Sequence, residues 1–158
     1  MPQFREVSLP DEAATTACGA RLGGVLALAA PSPFVVHLQG ELGSGKTTLV
    51  RGALVAMGVR GTIRSPTYTL VETYAAGDAV VAHLDLYRVV APRELEVLAV
   101  RELLVPGHVL FIEWPERGGD ALPPPDLALE LRFAPNGRAL QARAVSRAAE
   151  AVVQEWFR

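Results

Sequence analysis

A single lysine stands among the 15 Lys and Arg residues of this 158-residue chain, and its neighbours explain why lysine is kept there. Lys46 lies in Gly40-Glu41-Leu42-Gly43-Ser44-Gly45-Lys46-Thr47, which fits the phosphate-loop pattern G-x-x-x-x-G-K-[ST]. Glycines let consecutive backbone N–H groups curl around an oxyanion, and the helix that follows adds the positive end of its dipole. A compact ammonium on a slim stem fits between those amides, whereas a planar guanidinium is too wide. Thr47 supplies a hydroxyl for Mg²⁺. The phosphate-binding set is then Glu41, Leu42, Gly43, Ser44, Gly45, Lys46, Thr47 and Thr48, with ATP or ADP and Mg²⁺ as ligands. By composition alone the four fixed positions co-occur in roughly one chain of this length in a few hundred.

Such a loop needs a carboxylate at the end of a neighbouring buried strand to hold the Mg²⁺ shell. Glu113 directly follows the apolar run Val109-Leu110-Phe111-Ile112, and Asp85 ends Val80-Val81-Ala82-His83-Leu84. A buried carboxylate is costly without a partner, so each has the competing reading of an ion pair to Arg. Magnesium takes one or two protein carboxylates, so Glu113 is the expected metal acid and Asp85 either joins it or positions water. Ser65-Pro66-Thr67 sits where a segment sensing the terminal phosphate is placed, which makes Thr67 a candidate switch residue. Trp114 is either core or a stacking surface beside the site. Arg64, Arg88 and Arg117 are available to phosphate but read by default as solvated surface. His37, His83 and His108 are not at metal-ligand spacing and read as structural.

The elements that must position these residues follow from pattern. Ser8-Leu9-Pro10-Asp11 resembles a cap opening a helix to about Ala30. Phe34 to Gln39 is a buried strand, and Thr48 to Met57 a helix stopped by Gly58. Tyr68 to Tyr74 and Ala79 to Leu86 form an antiparallel hairpin around a turn at 75–78. Pro92 to Leu104 reads as one broken or two short helices, His108 to Ile112 as a strand, and Glu116 to Pro125 as a mobile loop. Asp126 to Phe133 and Arg138 to Val145 flank Pro135-Asn136-Gly137 as a second hairpin. Ser146 caps a last amphipathic helix. The expected fold class is α/β: one three-layer, P-loop NTPase-like domain over residues 1–158, with a mixed parallel and antiparallel sheet.

Composition narrows the classes further. Hydrophobic residues make up 50% and charged residues 20%, and the formal net charge is −2, so bulk electrostatic binding of nucleic acid is not indicated. The first ten residues lack the apolar core of a secretory signal, and Val25 to Ala30, broken by Pro31 and Pro33, is too short to span a membrane. The sole cysteine, Cys18, forms no internal disulfide and reads as helix core, consistent with a reducing cytoplasm.

Four segments together resemble a family. Gly40 to Thr48 (GELGSGKTT), Ser65 to Leu70 (SPTYTL), His83 to Arg88 (HLDLYR) and Ile112 to Glu116 (IEWPE) occur in the order and spacing of the bacterial TsaE family. The likeness runs from Leu9-Pro10-Asp11-Glu12 to the late hairpin and leaves the final helix outside. It implies a Mg²⁺-dependent ATPase, weak alone, for threonylcarbamoyl modification of adenosine next to the anticodon of tRNA. It implies the TsaD transferase and its TsaB partner as associates, tRNA contacted mainly through them, no membrane, and a cytoplasmic location. By position it gives Lys46 and Thr47 the phosphate and metal, Glu113 the metal-acid role, and Asp85 and Thr67 catalytic or switch roles. It puts Trp114 beside the site and adenine near Asp11, Thr15 and Arg138.

Other readings remain in view. A GTPase would carry an Asn-Lys-x-Asp element, absent here, so ATP is expected over GTP. A small-molecule P-loop kinase would need an acceptor pocket and an Arg-rich lid, and Glu116 to Pro125 carries one Arg. A non-hydrolysing nucleotide-binding module is the alternative outside enzymes.

Overall fold

Parallel strands gather their carboxyl ends along one edge of a sheet, and in this chain the edge is where the glycine loop, Asp85 and Glu113 meet. The computed structural model describes residues 3–29, 33–97 and 99–158. Its elements in chain order are β1 (Phe4–Leu9), α1 (Glu12–Ala29), β2 (Phe34–Gln39), α2 (Lys46–Ala56), β3 (Val71–Ala76), β4 (Ala79–Asp85), α3 (Glu94–Val97), β5 (His108–Glu113), β6 (Leu127–Ala134), β7 (Gly137–Ala144) and α4 (Arg147–Trp156). The 7-stranded sheet has the order β1-β7-β6-β2-β5-β4-β3. Its central strands β6, β2, β5 and β4 run parallel, while β7, β1 and β3 are antiparallel additions at the flanks. The expected mixed α/β sheet is therefore present.

Alternation along the strands sends side chains to two faces. Phe34, Val36 and Leu38 of β2, with Val109 and Phe111 of β5, pack under α1, α2 and α4. Val35, Leu110 and Ile112 face the other way, toward α3 and short 3₁₀ turns, where Leu84, Leu95, Val100 and Leu122 join them. The helix layer sits unusually close. A Cβ on Gly19 of α1 would lie 2.0 Å from the Leu49 carbonyl oxygen of α2, and one on Gly52 would lie 2.3 Å from that of Thr16. Only hydrogens at these positions let the two backbones touch.

Several local expectations are corrected. Asp11, not Ser8, caps α1: its Oδ1 accepts from the Ala14 N–H at 2.8 Å. Ser8 belongs to β1, a strand the sequence patterns did not announce. The strand read from Tyr68 begins at Val71, because a turn with Leu70 N–H donating to Pro66 at 2.7 Å takes up the preceding residues. Residues 115–121 form two 3₁₀ turns, Pro115–Arg117 and Gly119–Ala121, rather than an open loop. Buried Pro115 and Leu122 anchor them. The short helices α3 and Val100–Leu103, both hairpins, and the Ser146 cap, accepting from Ala149 N–H at 3.2 Å, follow the sequence reading. The helix end at Ala30, Pro31, the first two residues and Leu98 lie outside the described residues. Among the described residues no helix is long and apolar enough to cross a membrane.

Candidate functional site

The loop leaves β2 at Gln39 and enters α2 at Lys46, with Gly45 at φ 105° and Gly43 at φ 80° making the left-handed turns that side chains resist. Lys46 is 4% exposed. Its Nζ donates to the Gly40 carbonyl at 2.6 Å and the Glu41 carbonyl at 3.0 Å, and lies 4.4 Å from the centre of the Trp114 ring. Burial pushes its pKa below the ordinary lysine value, opposed by the charges of Glu113, Asp85 and Glu116.

Strand register explains why the two acids meet. Asp85 is paired with Glu113 on adjacent parallel strands, and Leu38 at the end of β2 is paired with Glu113 on the other side. Both carboxylates are buried, at 5% and 2% exposure. Neither has an Arg ion pair among the described residues. Glu113 instead accepts from the Thr47 hydroxyl, 3.0 and 2.9 Å from its two oxygens, and from His83 Nε2 at 2.6 Å. Asp85 accepts from the Tyr87 N–H at 3.0 Å and the Thr67 hydroxyl at 3.4 Å, and Thr67 in turn bonds Ser65 at 2.8 Å. Burial raises the Asp85 pKa first of all and the Glu113 charge adds to this, against the Tyr87 N–H, His83 and Thr67. Trp114 follows Glu113 with φ 58°, a left-handed kink that aims its ring back over the lysine.

These residues enclose a cavity of about 220 Å³, lined by Leu42, Gly43, Gly45, Lys46, Thr47, Thr48, Thr67, Asp85, Tyr87, Glu113 and Trp114. A neighbouring cavity of about 180 Å³ shares Gly43, Gly45 and Thr48 and adds Asp11, Thr15, Ser44 and Arg138. Thr15 is close-packed behind Gly45, and Arg138 donates to the Gly43 carbonyl at 3.1 Å. The residues expected from the sequence are thus brought together in two adjoining hollows, with Glu41 beside them on the loop.

The donor set suits a magnesium–phosphate ligand. The buried Ser44 hydroxyl in the loop has no partner among the described residues. One ammonium, one hydroxyl and two carboxylates converge, and a hydroxyl with one or two carboxylates is the protein share that Mg²⁺ would take at a phosphate site. Among the described residues no group of three or more His, Cys, Asp or Glu forms an all-protein cage.

Arg64, Arg88 and Arg117 do not line the phosphate cavity. Arg88 stacks 4.5 Å over Tyr68, and Arg117 lies 5.2 Å from Tyr87 and 5.5 Å from Trp114. His37 and His108 bond backbone carbonyls and are structural, as read. His83, also read as structural, differs in bonding one of the two acids, Glu113. Period-2 alternation puts it on the same strand face as Asp85, and that was the available signal. Trp114 can be checked spectroscopically. In a Trp156→Phe protein, which removes the other tryptophan, Mg²⁺-ATP should change the Trp114 emission; no change at saturating nucleotide would place the phosphates elsewhere.

A family model described as threonylcarbamoyl adenosine biosynthesis protein TsaE matches residues 9–143. The tRNA threonylcarbamoyladenosine biosynthesis protein TsaE of Haemophilus influenzae is 37% identical over 134 residues, covering 84% of this chain and 85% of that protein. The protein of the same name from Synechocystis is 40% identical over 116 residues, 71% of each chain. The crystal structure of Bacillus subtilis YdiB shares the fold with a TM-score of 0.77 at 24% identity, over 99% of this chain and 96% of that one. Matched along most of its length by that model and by these relatives, the chain belongs to the TsaE family.

Proposed function

We propose that this chain is a Mg²⁺-dependent ATPase that serves threonylcarbamoyl modification of adenosine in tRNA. It works in the cytoplasm with the TsaB–TsaD assembly, which makes most of the tRNA contact, and residues 1–158 act as one ATPase domain. The observation that carries the reading is the convergence of Lys46, Thr47, Asp85 and Glu113 on one cavity at the carboxyl edge of the sheet. Family membership supplies the process, since the relatives are named for threonylcarbamoyladenosine biosynthesis.

Each side chain has a task in keeping with its surroundings. Loop amides from Leu42 to Thr48 cradle phosphate oxygens, and Lys46 meets the terminal charge once drawn from the Gly40 and Glu41 carbonyls. Thr47 and Glu113 hold the metal shell. A Mg²⁺ held there would supply charge neutralisation to the phosphate. Asp85, kept short of full acidity by burial, accepts a hydrogen bond from the attacking water and orients it. Thr67 ties the Ser65–Thr69 turn to Asp85 and makes that turn responsive to the site. Trp114 and Tyr87 form part of the cavity wall. Asp11, Thr15 and Arg138 flank the adjoining hollow, which suits the nucleoside.

Steady-state hydrolysis with and without purified TsaB and TsaD from the same organism tests the proposal. Their addition should raise turnover, and Thr67→Ala should weaken that stimulation more than it weakens ATP binding. Absence of both stimulation and complex formation, with nucleotide present, would return the reading to a solitary kinase or nucleotide-binding module.

A further inference from the structure

His83 is wholly buried yet does not line the phosphate cavity. It sits two residues before Asp85 on β4, so both point to the α2 side of the sheet, where Val81 of the same strand enters the core. Its Nε2 lies 2.6 Å from Glu113 Oε2. A carboxylate oxygen only accepts, so the ring proton is on Nε2 and the histidine donates. The other nitrogen, Nδ1, is buried with no partner among the described residues. A leucine of similar size would fill this position without leaving a polar atom unsatisfied, so packing does not account for the imidazole.

Among the described residues Glu113 has one other side-chain partner, the Thr47 hydroxyl, which spans both oxygens at 3.0 and 2.9 Å. That hydroxyl has a single hydrogen and is itself a prospective metal ligand. When it turns to the metal, the bond from His83 is what still fixes the carboxylate. Resting on the Mg²⁺-nucleotide reading of the site, we infer that His83 is a positioning residue that clamps Oε2 of Glu113 and thereby presents Oε1 to the Mg²⁺ shell. Partners behind a metal-holding carboxylate typically govern metal affinity by 10- to 100-fold, on the order of the ligand's own orientation cost.

The test is calorimetric binding of adenylyl-imidodiphosphate, a non-hydrolysable ATP analogue, at graded Mg²⁺ and in EDTA, with thermal melting of the nucleotide-free protein alongside. In His83→Leu, the Mg²⁺ concentration that half-saturates the tightening of analogue binding should rise about tenfold or more. Affinity in EDTA should stay within about twofold of wild type, because the loop amides are untouched. His83→Gln, whose amide nitrogen reaches close to the Nε2 position, should recover most of the Mg²⁺ response. If His83→Leu does not fold, His83→Asn, whose amide stops short of Glu113, carries the same comparison. An unchanged Mg²⁺ response would overturn the inference. So would an equal loss with and without Mg²⁺ that Gln fails to rescue, which marks a purely structural residue. A wild-type protein that binds the analogue with no Mg²⁺ dependence would overturn the metal reading and the inference with it.

Discussion

Lys46→Ala should remove productive ATP binding, with hydrolysis falling by roughly a hundredfold or more, as when a preorganised donor to developing charge is deleted. The fold should survive. Among the described residues the ammonium bonds only carbonyls of its own loop, Gly40 and Glu41, and rests on the Trp114 ring. Its removal relieves the burial that lowers its pKa while leaving Asp85 and Glu113 with less compensating charge, so the two effects oppose each other. Lys46→Arg should not restore function, since the slot among the loop amides admits a point charge and not a planar fork. Nucleotide binding by calorimetry, with melting temperature as the control, decides the matter. Wild-type affinity and turnover in Lys46→Ala would sink the assignment of a phosphate loop.

Glu113→Gln should lose Mg²⁺-dependent hydrolysis on the order of a hundredfold, while binding of nucleotide in EDTA falls far less. The amide oxygen can take the place of Oε2, where it accepts from both Thr47 and His83, and the uncharged NH₂ then takes the place of Oε1. The side chain is neutralised in place and offers a donor where a metal shell needs an acceptor. Asp85→Asn should also lose turnover, with a smaller effect on Mg²⁺ affinity because its carboxylate bonds the Tyr87 N–H and Thr67 rather than Thr47. Steady-state rates across a Mg²⁺ series distinguish the two acids. Hydrolysis at the wild-type rate in both proteins would show that neither carboxylate does this work.

What the sequence revealed and what it hid have physical causes. The loop was legible because glycines, lysine and threonine at fixed spacing have little other use, and the acids because an apolar run ending in a carboxylate is rare. The late hairpin announced itself through Asn136-Gly137. Strand β1 did not: Phe4, Glu6 and Ser8 alternate with Arg5, Val7 and Leu9, so its core-facing side offers only two apolar residues. Its pairing with β7 is made across more than a hundred residues, beyond any local pattern. Tyr68 to Leu70 have β-prone composition, yet the Pro66 turn claims them. His83 was passed over because a histidine inside an apolar run looks the same whether it fills space or holds a carboxylate. Only the register of β4 against β5 separates the two.

The glycine contact between α1 and α2 also distributes stiffness. Backbone touches backbone at Gly19 and Gly52, and Trp156 of α4 locks onto the same helix by donating to the Cys18 carbonyl at 3.0 Å. One flank of the phosphate loop is therefore braced by main chain, which has no rotamers to change. On the opposite flank β4 and β5 are paired main chain to main chain, and the Ser65–Thr69 turn reaches them through the Asp85 N–H on the Leu70 carbonyl at 3.0 Å and the Thr67 hydroxyl on Asp85 at 3.4 Å. A phosphate entering the loop is therefore expected to shift the Ser65–Thr69 turn, which hangs on those two bonds, and to leave α1 and the β4–β5 ladder in place. The seam then acts as a mechanical rectifier, with one face expected to report nucleotide occupancy and one expected to stay the same.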